Sequence, residues 1–231
     1  MSSSPRRSSK HLGLVQRESG EGTSGRRSHV SLSLVVDRDR RGASDRELGQ
    51  ALIAGEPWSI AETWNRFAPM VLMTAERCLG SKAEAEDIGQ EVFYRVFHKA
   101  KTLRDPDALR SFIYSFAIRT LRTELRRRRL RSWLLFEPDV PTDVGATTLD
   151  VESRDHLRRF YALLDRLTPR DRLVFSLRRM ESMTMEETAR QLGISVSTVK
   201  RSMAQASTRL SRWIAADPGL AGLLDEERWV R

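Results

Sequence analysis

Apolar residues recur at helical spacing along most of this chain from Ser44 onward, and nowhere do they alternate with period two long enough to build a convincing strand. Ser44, Asp45, Arg46 and Glu47 form a capping-box sequence ahead of Leu48, Leu52 and Ile53. Gly55, Glu56 and Pro57 break that pattern. A second helix is expected over 58–79, with Trp64, Phe67, Val71, Leu72, Ala75 and Leu79 as its apolar stripe and a kink or division at Pro69. A third, over 83–99, turns Ile88, Val92, Phe93, Val96 and Phe97 inward. A fourth, over 107–131 and opened by Pro106, does so with Leu109, Phe112, Ile113, Phe116, Ala117 and Leu121. Helices are expected again over 154–167, 169–180, 185–192 and 196–214. The expected fold is all-α, in two small helical domains.

What lies between and around these stretches has a different composition. Residues 1–43 are dense in Ser, Gly and Arg and poor in aromatics, the signature of a disordered basic tail, with one short strand-like piece at 30–36. Residues 133–153 contain Pro138, Pro141 and Gly145, carry Glu137, Asp139, Asp143, Asp150 and Glu152, and have no Lys or Arg, which reads as an acidic flexible linker. The division expected is therefore a tail (1–43), a helical domain (44–132), the linker (133–153), a second helical domain (154–214) and a short C-terminal tail (215–231) with a further turn or two of helix around 220–227.

Charge narrows the partners. Lys and Arg total 40 against 31 Asp and Glu, a formal charge of +9, which favours nucleic acid or an anionic membrane surface. No apolar run approaches the ~20 residues of a membrane-spanning helix, so a cytoplasmic, nucleoid-associated protein is expected. The single cysteine, Cys78, excludes an internal disulfide and a cysteine-built zinc cluster, and the four histidines are scattered, so no metal or cofactor is expected. Neither a nucleophile elbow, a triad spacing nor a Walker loop is present, which argues against an enzyme and against a small-molecule substrate.

The sharpest pattern lies at 184–203. Thr184, Met185, Glu186 and Glu187 open a short helix with a second capping box, Ala189 stands four residues before Gly193, and Val199 six after it. Two helices crossing steeply need a small side chain at the crossing, a residue free to take positive φ in the turn, and an apolar anchor on the second helix. That is a helix-turn-helix. Its second helix is expected to present Ser195, Ser197, Thr198, Lys200, Arg201, Ser202 and Gln205 to base edges and phosphates in a major groove. Separately, Arg119, Arg122, Arg126 and Arg129 fall at spacings of three and four, one basic stripe on the fourth helix, which Arg127, Arg128 and Arg131 widen. Tyr114 is the aromatic expected to be exposed beside it, since Phe112 and Phe116 sit at core spacing.

Three stretches resemble a known family. The run from Leu167, Thr168, Pro169, Arg170 and Asp171 through Met185 to Lys200 resembles region 4 of extracytoplasmic-function sigma factors. Ala85, Glu86, Asp87, Ile88, Gly89, Gln90, Glu91, Val92 and Phe93 are similar to their region 2 signature, and Leu109–Tyr114 running into Leu125–Arg129 is similar to the helix that meets the melted promoter. The resemblance implies that core RNA polymerase and promoter DNA are the partners. It implies that the face carrying Asp87, Gln90, Glu91 and Arg95 docks on a basic hairpin of the polymerase clamp. It further implies that Tyr114, Arg119, Arg122, Arg126 and Arg129 meet the melted −10 element, and that the recognition helix reads the −35 element. An anti-sigma protein would be a further partner of the same kind. The chain departs from the family pattern at Ile118-Arg119, where an arginine–asparagine pair is usual, and at Phe112, Thr123, Gln205 and Ser207. The rival reading is a stand-alone helix-turn-helix regulator that binds duplex DNA without polymerase.

Overall fold

A computed structural model of the chain describes residues 42–135 and 150–221. The tail expected over 1–43, its piece at 30–36 and the helix expected around 220–227 fall wholly or largely outside those residues, as does 136–149 of the expected linker. Within the described residues the secondary structure is helical throughout: α1 (Asp45–Ala54), α2 (Pro57–Leu79), α3 (Lys82–Lys99), α4 (Leu109–Leu135), α5 (Val151–Asp165), α6 (Pro169–Phe175), α7 (Met185–Leu192) and α8 (Val196–Ala215).

The helix starts follow from their caps. The Ser44 hydroxyl accepts from the Glu47 amide at 3.2 Å and the Glu47 carboxylate accepts from the Ser44 amide at 2.7 Å, which together satisfy two donors that α1 would otherwise leave orphaned. Pro57 occupies the first turn of α2, where its missing N–H costs nothing. Of the kink or division expected at Pro69, the division does not occur: the helix runs unbroken from Pro57 to Leu79. Pro69 and Asn65, the residue whose carbonyl it leaves without an amide, are both exposed, so water can take the lost bond. At the other boundary, α4 extends to Leu135, and α5 begins at Val151 because the Asp150 carboxylate accepts from the Ser153 amide at 2.7 Å. Both ends of the expected linker are thus helix.

α1 to α4 bury Leu48, Phe67, Val71, Leu79, Ile88, Val92, Phe93, Ile113, Ile118 and Leu121 between them. Trp64, expected in that stripe, sits at the rim, 37% exposed, with its ring 4.7 Å from Phe93. α5 to α8 bury Leu164, Leu173, Phe175, Leu177, Val199 and Leu210. α6 passes into a single π-helical turn, Ser176–Met180, and the chain then doubles back through Ser182 at φ 54°.

These two groups of helices lie against each other: α4 packs on α6 and α7, and the C-terminal end of α2 packs on the π turn. Gly80 lies within that contact. It ends α2 at φ 80°, a left-handed conformation that L side chains rarely adopt, and a Cβ there would lie 2.5 Å from the ring of Tyr161 on α5.

Candidate nucleic-acid interface

The helix-turn-helix forms as its spacing requires. Thr184 and Glu187 close a reciprocal capping box at the start of α7, and the bonds to Thr184 hold the Glu187 carboxyl below its usual range. Gly193 ends α7 at φ 63° and the Ile194 amide returns to the Ala189 carbonyl at 3.0 Å, which sets the turn. Val199, Met203, Ala206, Leu210 and Ile214 then hold α8 against the core, with Ala189 buried at the crossing. This leaves Ser197, Lys200, Arg201 and Gln205 exposed and Thr198 half-buried. Ser195 is exposed too, but its hydroxyl caps α8 by accepting from the Thr198 amide at 3.2 Å. Ser202 departs from expectation. It is 4% exposed, because three residues after Val199 it falls on the packed side of the helix.

On α4 the basic stripe exists, with two corrections. Arg119, Arg126 and Arg129 are exposed and Arg122 half-buried, but Arg128, expected to widen the stripe, is buried beside Leu125 on the inner side and paired with Glu84. Tyr114 is not the exposed aromatic. It belongs to the inward series Ile113, Tyr114, Ala117, Ile118, Leu121 and is 5% exposed, and burial pushes its phenol well above its usual titration range. The exposed aromatics are elsewhere. Tyr94, 60% exposed, stacks on His98 with ring centroids 4.1 Å apart, and both border a recess of about 510 Å³ shared with Lys99, Phe116 and Arg119. The Arg119 guanidinium lies 4.7 Å over the Phe116 ring, held by bonds from Nε to the Ser115 carbonyl at 3.0 Å and from Nη2 to the Ser115 hydroxyl at 2.6 Å. The sequence signalled this recess only indirectly: Tyr94 sits between core positions Phe93 and Val96 but out of their register.

α4 and α8 face each other across a cleft of about 660 Å³, where Arg122, Arg126, Arg170, Arg201 and Arg209 converge with one carboxylate, Asp171. Burial, and then repulsion from Arg126 and Arg170, make Arg122 give up its proton more readily than a free guanidinium. Such a concentration of positive charge suits phosphate. On the opposite side of α3, away from its buried Ile88, Val92 and Val96, Asp87, Gln90 and Glu91 are exposed, and Arg95 donates from Nε to Glu91 Oε1 at 2.6 Å. Among the described residues no cluster of His, Cys, Asp and Glu could hold a metal ion, and no helix is long and apolar enough to cross a membrane.

Comparison with known proteins agrees with this layout. A family model described as Sigma-70 region 2 matches residues 63–131, and one described as Sigma-70, region 4 matches residues 157–210. The RNA polymerase sigma-E factor of Streptomyces coelicolor is 30% identical over 162 residues, covering 68% of this chain and 88% of that protein. The ferric citrate uptake sigma factor FecI of Escherichia coli is 33% identical over 134 residues, covering 56% and 76%. The fold is shared with CnrH, solved in complex with the cytosolic domain of CnrY, at a TM-score of 0.53 and 20% identity over 76% of this chain and 99% of that one.

Proposed function

The chain belongs to the sigma-70 family, in its extracytoplasmic-function branch, and on that premise we propose that it binds core RNA polymerase in the cytoplasm and directs it to promoters through two separate DNA contacts. The helices of residues 44–132 act as one domain on the melted −10 element and those of 154–214 as another on the duplex −35 element. The polymerase supplies all the chemistry.

The observation that carries this reading is the second helix of the helix-turn-helix, anchored by Val199 and presenting Ser197, Lys200, Arg201 and Gln205 outward. Such a row of donors fits a major groove. In the first domain, Arg119, Arg122, Arg126 and Arg129 neutralise phosphates, while the recess between Tyr94, His98 and Phe116 offers stacking surface to an unpaired base. That assigns to Tyr94 the part expected of Tyr114. Asp87, Gln90 and Glu91 form the polymerase-docking face, with Arg95 steering the Glu91 carboxylate.

The test is transcription in vitro with core polymerase stripped of other sigma factors. Promoter-specific transcripts should appear only when the chain is added. Reversing charge at Asp87 and Glu91, both exposed, should abolish capture of the core without unfolding the protein. Duplex binding with no effect on the core's output would instead describe a stand-alone regulator and overturn the proposal.

A further inference from the structure

Ser115 holds the Arg119 guanidinium by one edge and leaves the other edge open. The Nε–H donates to the Ser115 carbonyl at 3.0 Å and Nη2 to the Ser115 hydroxyl at 2.6 Å, while that hydroxyl donates in turn to the Phe112 carbonyl at 2.7 Å. The hydroxyl proton is thereby committed, so its oxygen can only accept from Arg119. The Phe116 ring, 4.7 Å from the guanidinium, supports its plane from one side. Both bonds to Ser115 use the Nε side of the group. Because a guanidinium is planar, its end-on pair of N–H groups, one on Nη1 and one on Nη2, then points away from Ser115 as a fixed fork.

Arg119 is one wall of the recess of about 510 Å³, whose other walls are Tyr94, Arg95, His98, Lys99 and Phe116. His98 Nδ1 lies 2.9 Å from the Tyr94 carbonyl. A carbonyl can only accept, so Nδ1 carries the proton, and in the neutral ring the remaining nitrogen, Nε2, is an acceptor. Tyr94, stacked on His98, adds an exposed ring. Arg95 is engaged by Glu91, and Lys99 is exposed and able to meet a flanking phosphate. The recess therefore combines a two-pronged donor, a single acceptor and an aromatic surface.

A fork of this kind takes two adjacent acceptors. Guanine supplies them at O6 and N7, and its N1–H comes next along the same edge of the base. Adenine sets its N6 amino group where O6 would be, donor against donor, and thymine has a methyl group beside its O4. Cytosine has adjacent acceptors at O2 and N3, but on one ring instead of two, so it covers less of Tyr94. A paired guanine gives its N1–H to its partner. Only an unpaired one shows all three groups. Asparagine is usual at position 119 in the family, so the fork is a feature of this chain.

We propose that the recess between Tyr94, His98 and Arg119 selects an unpaired guanine, with the Arg119 fork on O6 and N7, His98 Nε2 accepting from N1–H, and Ser115 as the positioning residue. The selection rests on the function proposed above, which brings a melted strand to α4.

The test titrates the full chain with short DNA strands that are abasic except for one central base, guanine, adenine, cytosine or thymine, so that every probe carries the same phosphates. Binding is read by NMR on the His98 ring resonances, identified by their loss in His98→Gln, and strands held elsewhere on the basic protein go uncounted. The guanine strand should half-saturate this signal at a concentration about tenfold below the adenine and thymine strands, as one bidentate pair allows, and about threefold below the cytosine strand. Arg119→Lys keeps the charge without the fork and should bring the strands to within about twofold of one another. Ser115→Ala frees the guanidinium and should cut the guanine preference by about threefold. Arg158→Gln, which removes an exposed charge from α5, should leave the preference as it is. Strands that saturate alike, a cytosine strand equal to guanine, a preference that survives Arg119→Lys, or a His98 signal that no strand moves would each overturn the guanine site. Polymerase takes no part in this measurement. A chain that selects guanine yet yields no promoter-specific transcripts with the core removes the functional proposal alone, and one that yields transcripts yet binds the strands alike removes the guanine site alone.

Discussion

Replacing Gly80 with alanine should cost far more than the same change at Gly55, although both glycines end helices at nearly the same φ, 80° and 77°. The backbone penalty is common to both, about 1–2 kcal/mol for an L residue held in the left-handed region. The surroundings differ. An alanine Cβ at Gly55 meets nothing within 4 Å, whereas at Gly80 it would lie 2.5 Å from two ring carbons of Tyr161. The ring must retreat, losing its hydroxyl bond to the Arg77 carbonyl, a net ~1 kcal/mol, and part of its burial, roughly another 1–2 kcal/mol. Gly80→Ala is therefore expected to destabilise by about 3–5 kcal/mol, and Gly55→Ala by about 1–2 kcal/mol. Urea unfolding followed by circular dichroism measures both. A double-mutant cycle sharpens the comparison: once Tyr161→Ala has removed the ring, Gly80→Ala should cost no more than Gly55→Ala, a coupling of about 2–3 kcal/mol. Equal costs at the two glycines, or a Gly80→Ala cost indifferent to Tyr161, would refute the packing of α5 on the end of α2.

Lys200→Ala with Arg201→Ala should weaken promoter binding and lower its salt slope by about 1.8, leaving core capture intact, as gel-shift titrations over a range of salt would register. Ala189→Leu, which crowds the α7–α8 crossing, should cost about 1–3 kcal/mol and abolish duplex binding, to be followed by thermal unfolding and the same gel shifts. Alkali should loosen the contact between the two groups of helices. Burial pushes the Cys78 thiol and the Tyr161 phenol each up to about 12, from ordinary values near 9 and 10. The native state thus holds protons that the unfolded chain releases, and stability should be fully present below about pH 9 and decline as pH rises toward 12. A flat stability profile across that window would contradict the burial of both groups.

The helices were legible wherever local chemistry and periodicity agreed. The capping boxes at Ser44 and Thr184, the turn at Gly193 and the anchor at Val199 each act within a few residues, and all are found as read. Pro69 left open whether α2 divides, because the cost of a proline depends on whether the carbonyl it strands can reach water, and periodicity does not report that. Tyr114 and Ser202 misled because polarity was taken as a sign of exposure, while their positions one step beyond Ile113 and three beyond Val199 placed them inward. Arg128 carries the same lesson in stronger form: four consecutive arginines look equivalent, yet only this one meets the buried partners that pay for its desolvation. The contact between the two groups of helices was illegible altogether. Tyr161, Asp165 and Arg172 read as ordinary residues of amphipathic helices, and what joins them to Gly80 and Leu79 lies about ninety residues away in the chain.

The Arg172–Asp165–Arg128 cluster also fixes how the two groups of helices must be placed. Apolar packing such as that of Leu79 and Leu167 has no direction and tolerates a small slip. A buried guanidinium that loses its carboxylate or its peptide oxygen is left as an uncompensated charge. Arg172 and Arg128 thus admit one register of α4 and α6 on the end of α2, the one in which the carbonyls of Cys78 and Leu79 are both reached.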